Sequence, residues 1–202
     1  MISWYKKPCW EHEAARHNCS KEGMILVGKL EQGLVQIYTG EGKGKTTAAL
    51  GLALRALGRG LKVFMLQFLK GDDTGELFST QQFGDKFVIR QTGLGGFIRK
   101  GKAGPEDAQR AKEAMNLAKD ILRRGDYDLV ILDEINVALY FELVSVPEVL
   151  KLLQARAPHV EVVLTGRYAP QEIIEAADLV TEMKNIKHYY HAGVKARKGI
   201  ES

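Results

Sequence analysis

The stretch "VQIYTGEGKGKTTAALG", residues 35–51, runs from a β-rich segment into an alanine-rich helix through a loop in which every second residue is glycine. Binding a phosphate chain takes inward-pointing backbone N–H groups, a helix N-terminus and a cation. Gly40, Gly42 and Gly44 allow the backbone turns that aim successive amides at one anion. Lys45 supplies the cation, Lys43 adds a second, and the Thr46 hydroxyl lies where the helix starts and Mg²⁺ would sit. The usual spacing for such a loop is G-x-x-x-x-G-K-[ST]. Counted back from Gly44, the leading glycine belongs at position 39; the chain has Thr39 there and Gly40 one place later. A flexible Gly/Lys turn is the alternative, and a strand before the loop and a helix after it argue against that. Residues Gly40, Glu41, Gly42, Lys43, Gly44, Lys45, Thr46 and Thr47 are therefore expected to hold a triphosphate.

Working outward, strands and helices alternate. "LVQIY" (34–38), "KVFMLQF" (62–68), "FVIR" (87–90), "YDLVILDE" (127–134) and "EVVLT" (161–165) read as strands, several of them apolar on both faces. Between them, Ala48 to Leu57 has helical spacing and ends at "GRG" (58–60). A long helix opens at Pro105, carries Glu106 and Asp107 in its first turn, and closes with Arg123, Arg124 and Gly125. That order of proline, acids, bases and glycine is helix-end chemistry. "PEVLKLLQAR" (147–156) and "PQEIIEAA" (170–177) are further helices. The pattern predicts an α/β fold, a parallel sheet flanked by helices, in the RecA-like architecture of phosphate-loop NTPases.

A chain of 202 residues is long enough for one domain with a substantial core. Its hydrophobic content of 45% and charged content of 27% are those of an ordinary globular protein. No apolar run is long enough to span a bilayer, so no membrane partner is expected. The first residues, "MISWYKKPCWEHEAARHNC", carry charges throughout and do not read as a secretory signal. Two cysteines, Cys9 and Cys19, make no disulfide framework, and a cytoplasmic location is the simplest expectation. A formal net charge of +4 suits a phosphate-bearing partner without choosing between nucleotide and nucleic acid.

"LVILDE" places Asp133 and Glu134 at the carboxyl end of a buried strand, where phosphate-loop enzymes hold magnesium directly or through water. With Thr46 they form the candidate metal site. The competing reading is that the two acids merely start the next segment.

Beyond these motifs, "TGEGKGKTTAALGLALRALGRG", "LQFLKG" (66–71), "LVILDE", "VVLTGR" through Arg167, "AADLVTEM" (176–183) and "KHYYHAGVKARKGIE" (187–201) follow one another in that order. The set resembles the ATP:corrinoid adenosyltransferases, from about residue 34 to the C-terminus. The resemblance implies that a corrinoid cobalt reduced to Co(I) attacks the 5′ carbon of ATP and releases triphosphate, in the biosynthesis or salvage of adenosylcobalamin. It also implies an ATP reversed in its loop, with the γ-phosphate where an α-phosphate usually lies. The nucleophile is then the metal of the substrate. No side-chain nucleophile is required, and Lys45 stabilises the leaving group. Mg²⁺, a homodimer and an electron donor such as flavodoxin or a flavin reductase are implied with it.

In the same family, bulky aromatics displace the lower axial base of the corrinoid. The matching run here is "GGFIRKG" (95–101), which keeps Phe97 and has Arg99 where enterobacterial members have tryptophan. Phe97 and Arg99 are thereby candidate corrinoid contacts, and Arg167, just past a strand end, is a candidate nucleotide contact.

Residues 1–24 differ from the rest and are expected to form an extension to a domain of residues 25–202. Cys9, His12, His17 and Cys19 are zinc-ligand types, but one intervening residue between the last two is cramped for a tetrahedral site. By resemblance, Trp4, Tyr5 and Trp10 would pack over an active site. The basic tail with Tyr189 and Tyr190 has a pattern that can bind single-stranded nucleic acid, though a locally packed tail is the plainer expectation. A nucleic-acid-stimulated RecA-like ATPase is the alternative function, disfavoured by the altered loop and by a length that leaves little room for a second lobe. A nucleotide-binding regulatory module is a third.

Overall fold

The computed structural model describes residues 29–71, 73–93 and 104–201. The N-terminal extension, the zinc-type residues within it, and Phe97 and Arg99 lie outside the described residues.

Six strands form one sheet in the order β3-β2-β4-β5-β1-β6, and every neighbouring pair is parallel. They are β1 (Val35–Thr39), β2 (Val63–Gln67), β3 (Phe87–Gln91), β4 (Leu129–Asp133), β5 (Glu161–Thr165) and β6 (Leu179–Glu182). β2 and β4 are buried at all five positions because helices cover both faces. Their side chains alternate between two cores: Val130 and Leu132 join one apolar cluster, Leu129 and Ile131 the other.

The helices are α1 (Lys45–Leu57), α2 (Gly75–Ser79), α3 (Pro105–Arg124), α4 (Ile135–Tyr140), α5 (Val146–Gln154) and α6 (Gln171–Glu175). α1 lays Ala49, Ala53 and Ala56 on one face of the sheet; their small side chains let helix and sheet approach closely. α3 lays Ala111, Ala114, Ala118 and Leu122 on the other. Its ends follow the sequence expectation: the Asp107 carboxylate accepts the Gly104 N–H at 2.8 Å, and Gly125 closes it at φ 63°. At the start of α5 the Ser145 hydroxyl and N–H both donate to the Glu148 carboxylate, which holds that carboxyl below its usual range.

Five elements leave no periodic signal in the sequence. α2, α4, the 3-10 turns and β6 are all of seven residues or fewer, too short to establish a period. β6 is also exposed at every position, so it lacks the apolar signature of its neighbours.

Candidate active site

Four strands end together at the carboxyl edge of the sheet, where open α/β folds bind ligands. The backbone there is unusually twisted. Gly40 after β1 (φ 95°), Leu69 after β2 (φ 61°), Glu134 after β4 (φ 62°) and Tyr168 after β5 (φ 61°) are all left-handed. For the non-glycine residues this costs on the order of 1–3 kcal/mol each and is sustained by the packing around them.

The glycine loop between β1 and α1 is braced by the chain leaving β6. Gly42 N–H donates to the Met183 carbonyl at 2.6 Å, and Met183 N–H to the Thr39 carbonyl at 2.8 Å. A Cβ on Gly40 would come within 2.5 Å of the Met183 carbonyl oxygen, and one on Gly42 within 2.7 Å. Glycine is therefore required at both positions by a close backbone approach. Thr39 ends β1 as a buried strand residue, so Gly40 takes the first turn of the loop.

Lys45 folds back over this loop, donating to the Gly40 carbonyl at 2.7 Å and the Gly42 carbonyl at 2.6 Å. Burial lowers its pKa, against the upward pull of Glu134. Lys43 reaches the Ile200 carbonyl at 3.2 Å, and Arg167 pairs with Glu41 at 3.5 Å, both partners about half exposed. Thr47 is exposed on α1.

Asp133 is fully buried at the end of β4. Its Oδ1 accepts the hydroxyls of Thr46 at 2.8 Å and Thr165 at 2.6 Å. Its Oδ2 accepts Lys70 Nζ at 2.8 Å and Gln67 Nε2 at 3.2 Å. β5 lies between β1 and β4, and its last residue, Thr165, closes the gap between their ends. The same Thr165 oxygen accepts the Glu134 N–H at 3.0 Å, which holds the left-handed turn. Glu134 has its pKa raised by burial and by Asp133, with Lys70, Lys45 and Arg167 pulling the other way. Lys70, despite burial, is driven above its usual pKa by Asp133.

Of the expected loop residues, Thr46 bonds Asp133 and Lys45 interacts with Glu134 and Asp133, whereas Lys43 turns to Ile200 and Glu41 to Arg167. Lys70, Gln67 and Thr165 were not singled out from the sequence, although "LQFLKG" and "VVLTGR" contain them. For Gln67 and Thr165 the available signal was a polar side chain inside an otherwise apolar strand; Lys70, in the turn after β2, carried none.

Among the described residues no group of three or more His, Cys, Asp or Glu is placed to hold a metal ion. The set at Thr46, Asp133 and Glu134 consists of hard oxygen donors. It suits Mg²⁺, which takes one or two carboxylates and fills its other positions with phosphate and water.

A family model described as ATP:corrinoid adenosyltransferase BtuR/CobO/CobP matches residues 31–202. The chain belongs to the ATP:corrinoid adenosyltransferase family. This adenosyltransferase is 39% identical to a corrinoid adenosyltransferase from Sinorhizobium sp over 190 residues, 93% of this chain and 88% of that one. It is 41% identical to one from Pseudomonas aeruginosa, covering 88% and 87%. It is 36% identical to the corrinoid adenosyltransferase CobA of Salmonella typhimurium, covering 89% and 91%. In fold the adenosyltransferase is similar to the flagellar accessory protein FlaH from Methanocaldococcus jannaschii, with a TM-score of 0.51 at 16% identity over 79% of this chain and 74% of that one. It is also similar to the RadB recombinase, with a TM-score of 0.51 at 17% identity over 79% and 78%. At these identities the two likenesses bear on the fold alone. No helix among the described residues is long and apolar enough to cross a membrane.

Proposed function

We propose that this enzyme transfers the 5′-deoxyadenosyl group of ATP to the Co(I) centre of a corrinoid. The cobalt–carbon bond forms as the C5′–O5′ bond breaks, and the bonding electron pair leaves with triphosphate. Cobalt is formally oxidised from Co(I) to Co(III). The reading rests on family membership and is supported by one observation: Lys45 folds over the glycine loop, Thr46 at the start of α1 bonds Asp133 at the end of β4, and Glu134 stands near enough to Lys45 to pull its pKa upward against burial.

The side chains have charge and orientation to supply, not a nucleophile. Gly40 to Thr47 would hold the triphosphate with loop amides and hydroxyls, apart from the Gly42 N–H that the Met183 carbonyl takes, with Lys45, Lys43 and Arg167 as its cations. Lys45 is held by two carbonyls that a triphosphate would replace as its partner. Thr46 with Glu134, or with Asp133 acting from behind the Thr46 hydroxyl, would hold Mg²⁺, which neutralises charge on the leaving group. In a hydrolase, Glu134 would be the residue to take a proton from water; here no water is activated. By the family resemblance, Phe97 and Arg99 would contact the corrinoid and residues 1–24 would serve as a cover; all lie outside the described residues.

The reaction would run in the cytoplasm, in a homodimer, with flavodoxin or a flavin reductase supplying electrons to the corrinoid. Nucleic acid has no part in it. The test mixes the protein with ATP, Mg²⁺ and chemically reduced cobalamin and follows the visible spectrum and the phosphate product. Adenosylcobalamin and triphosphate are expected. Orthophosphate released without corrinoid and stimulated by oligonucleotide would instead establish an ATPase.

A further inference from the structure

The loop motif accounts for Lys43, Lys45 and Thr46 but has no place for Lys70, a lysine at this site from outside the loop. Lys70 lies in the left-handed turn after β2. Its ammonium stands 2.8 Å from Asp133 Oδ2 and 3.9 Å from the Glu76 carboxylate. Its backbone is tied down as well: the Lys70 carbonyl accepts the Gly93 N–H at 2.8 Å. A Cβ at Gly93 would fall 2.3 Å from the carbonyl carbon of Leu69, so the two turns are in backbone contact.

We propose that Lys70 is a positioning residue for the metal, acting through Asp133 and not through the triphosphate. This rests on the reading of the loop as a Mg–ATP site. An ionised carboxylate offers about four lone-pair directions. Here they are taken by Thr46 and Thr165 on Oδ1 and by Lys70 and Gln67 on Oδ2. Asp133 then has no open position for a metal of its own. What it does is accept a hydrogen bond from the Thr46 hydroxyl, which leaves the lone pairs of that hydroxyl facing away from the carboxylate.

Lys70 supplies the only full positive charge bonded to Asp133 among the described residues. Without it, Oδ2 retains Gln67 alone, and the carboxylate is free to turn and release Thr46. A direct phosphate contact is the weaker reading, since the ammonium already faces two carboxylates, Asp133 and Glu76.

The test is calorimetric binding of ATP to the full chain, once with Mg²⁺ in excess and once with the metal chelated. Wild-type protein should bind more tightly with Mg²⁺. In Lys70→Met that gain should shrink roughly 10-fold, the scale for residues that orient a metal ligand, with metal-free binding unchanged. Lys70→Arg should restore most of it. Should Lys70→Met fail to melt cooperatively, Lys70→Gln, which keeps a donor and loses the charge, carries the same comparison.

Three results would overturn the proposal: an undiminished Mg²⁺ gain in the uncharged variant, a fall in metal-free affinity as large as the fall with metal, or no Mg²⁺ gain in the wild type. None of these measurements involves a corrinoid. Failure of adenosyl transfer would therefore show separately, in the wild-type turnover assay.

Discussion

Thr165 donates its hydroxyl to Asp133 Oδ1 at 2.6 Å, across the junction of β5 and β4. The same oxygen accepts the backbone N–H of Glu134 at 3.0 Å. One hydroxyl at the tip of the intervening strand therefore sets both acidic residues of the site. Thr165→Val keeps the shape and removes both bonds. It should lose on the order of 1–3 kcal/mol of stability, the cost of stranding buried polar groups, measurable by denaturant titration. The rate of adenosyl transfer should fall roughly 10- to 100-fold, and Thr165→Ser should recover most of it.

Lys45 makes its two hydrogen bonds to carbonyls of its own loop, so the fold does not depend on it for a distant contact. Lys45→Ala should leave the melting temperature within a few degrees of wild type. Turnover should drop by about 100-fold or more, the scale for removing one preorganised donor from a developing anion. Full activity in that variant would remove the loop from the mechanism.

Gly40 combines a left-handed φ of 95° with a Cβ position 2.5 Å from the Met183 carbonyl oxygen. Gly40→Ala should therefore fail twice, from backbone strain of roughly 1–3 kcal/mol and from displacement of the chain after β6. Weaker ATP binding and a lowered denaturation midpoint should appear together. Gly51, with no atom within 4 Å of its Cβ position, is the control: Gly51→Ala in the middle of α1 should be neutral or stabilising by about 0.5–1 kcal/mol.

Glu134 has its carboxyl pKa raised by burial and by the neighbouring Asp133. A raised folded pKa means that its proton is held more tightly folded than unfolded. Stability from this group is complete below the ordinary glutamate range and is lost as pH rises through the folded value. At neutral pH, Glu134→Gln should therefore raise the thermal midpoint of the ligand-free protein. The gain should vanish below the ordinary glutamate range, where Glu134 is already protonated. The same variant should lose its Mg²⁺-dependent gain in ATP affinity, separating stability from function.

Much of the layout was legible because it is local. Gly40, Gly42 and Gly44 announce a loop that needs their backbone freedom, and Pro105 with Gly125 marks the ends of α3. The apolar runs at β2 and β4 declare strands buried on both faces. The acids of "LVILDE" lie at a strand end as read: Asp133 closes β4 and bonds Thr46, and Glu134 begins the turn into α4.

What tertiary structure alone decided is the company Asp133 keeps. Thr46 lies 87 positions before it, Lys70 63 before and Thr165 32 after, and no local pattern links residues so far apart. Strand order brings them together, since inserting β5 between β1 and β4 delivers Thr165 to the gap and β2 carries Lys70 in from the other side. The same holds for the loop, whose glycines follow from its own backbone but whose brace, Met183, arrives only because β6 pairs beside β1. The sequence by itself determined the glycine loop, its lysines and the acids at the end of β4. The parallel sheet decided which of them meet, because hydrogen-bonded strand order and not chain distance sets the spacing at its carboxyl edge.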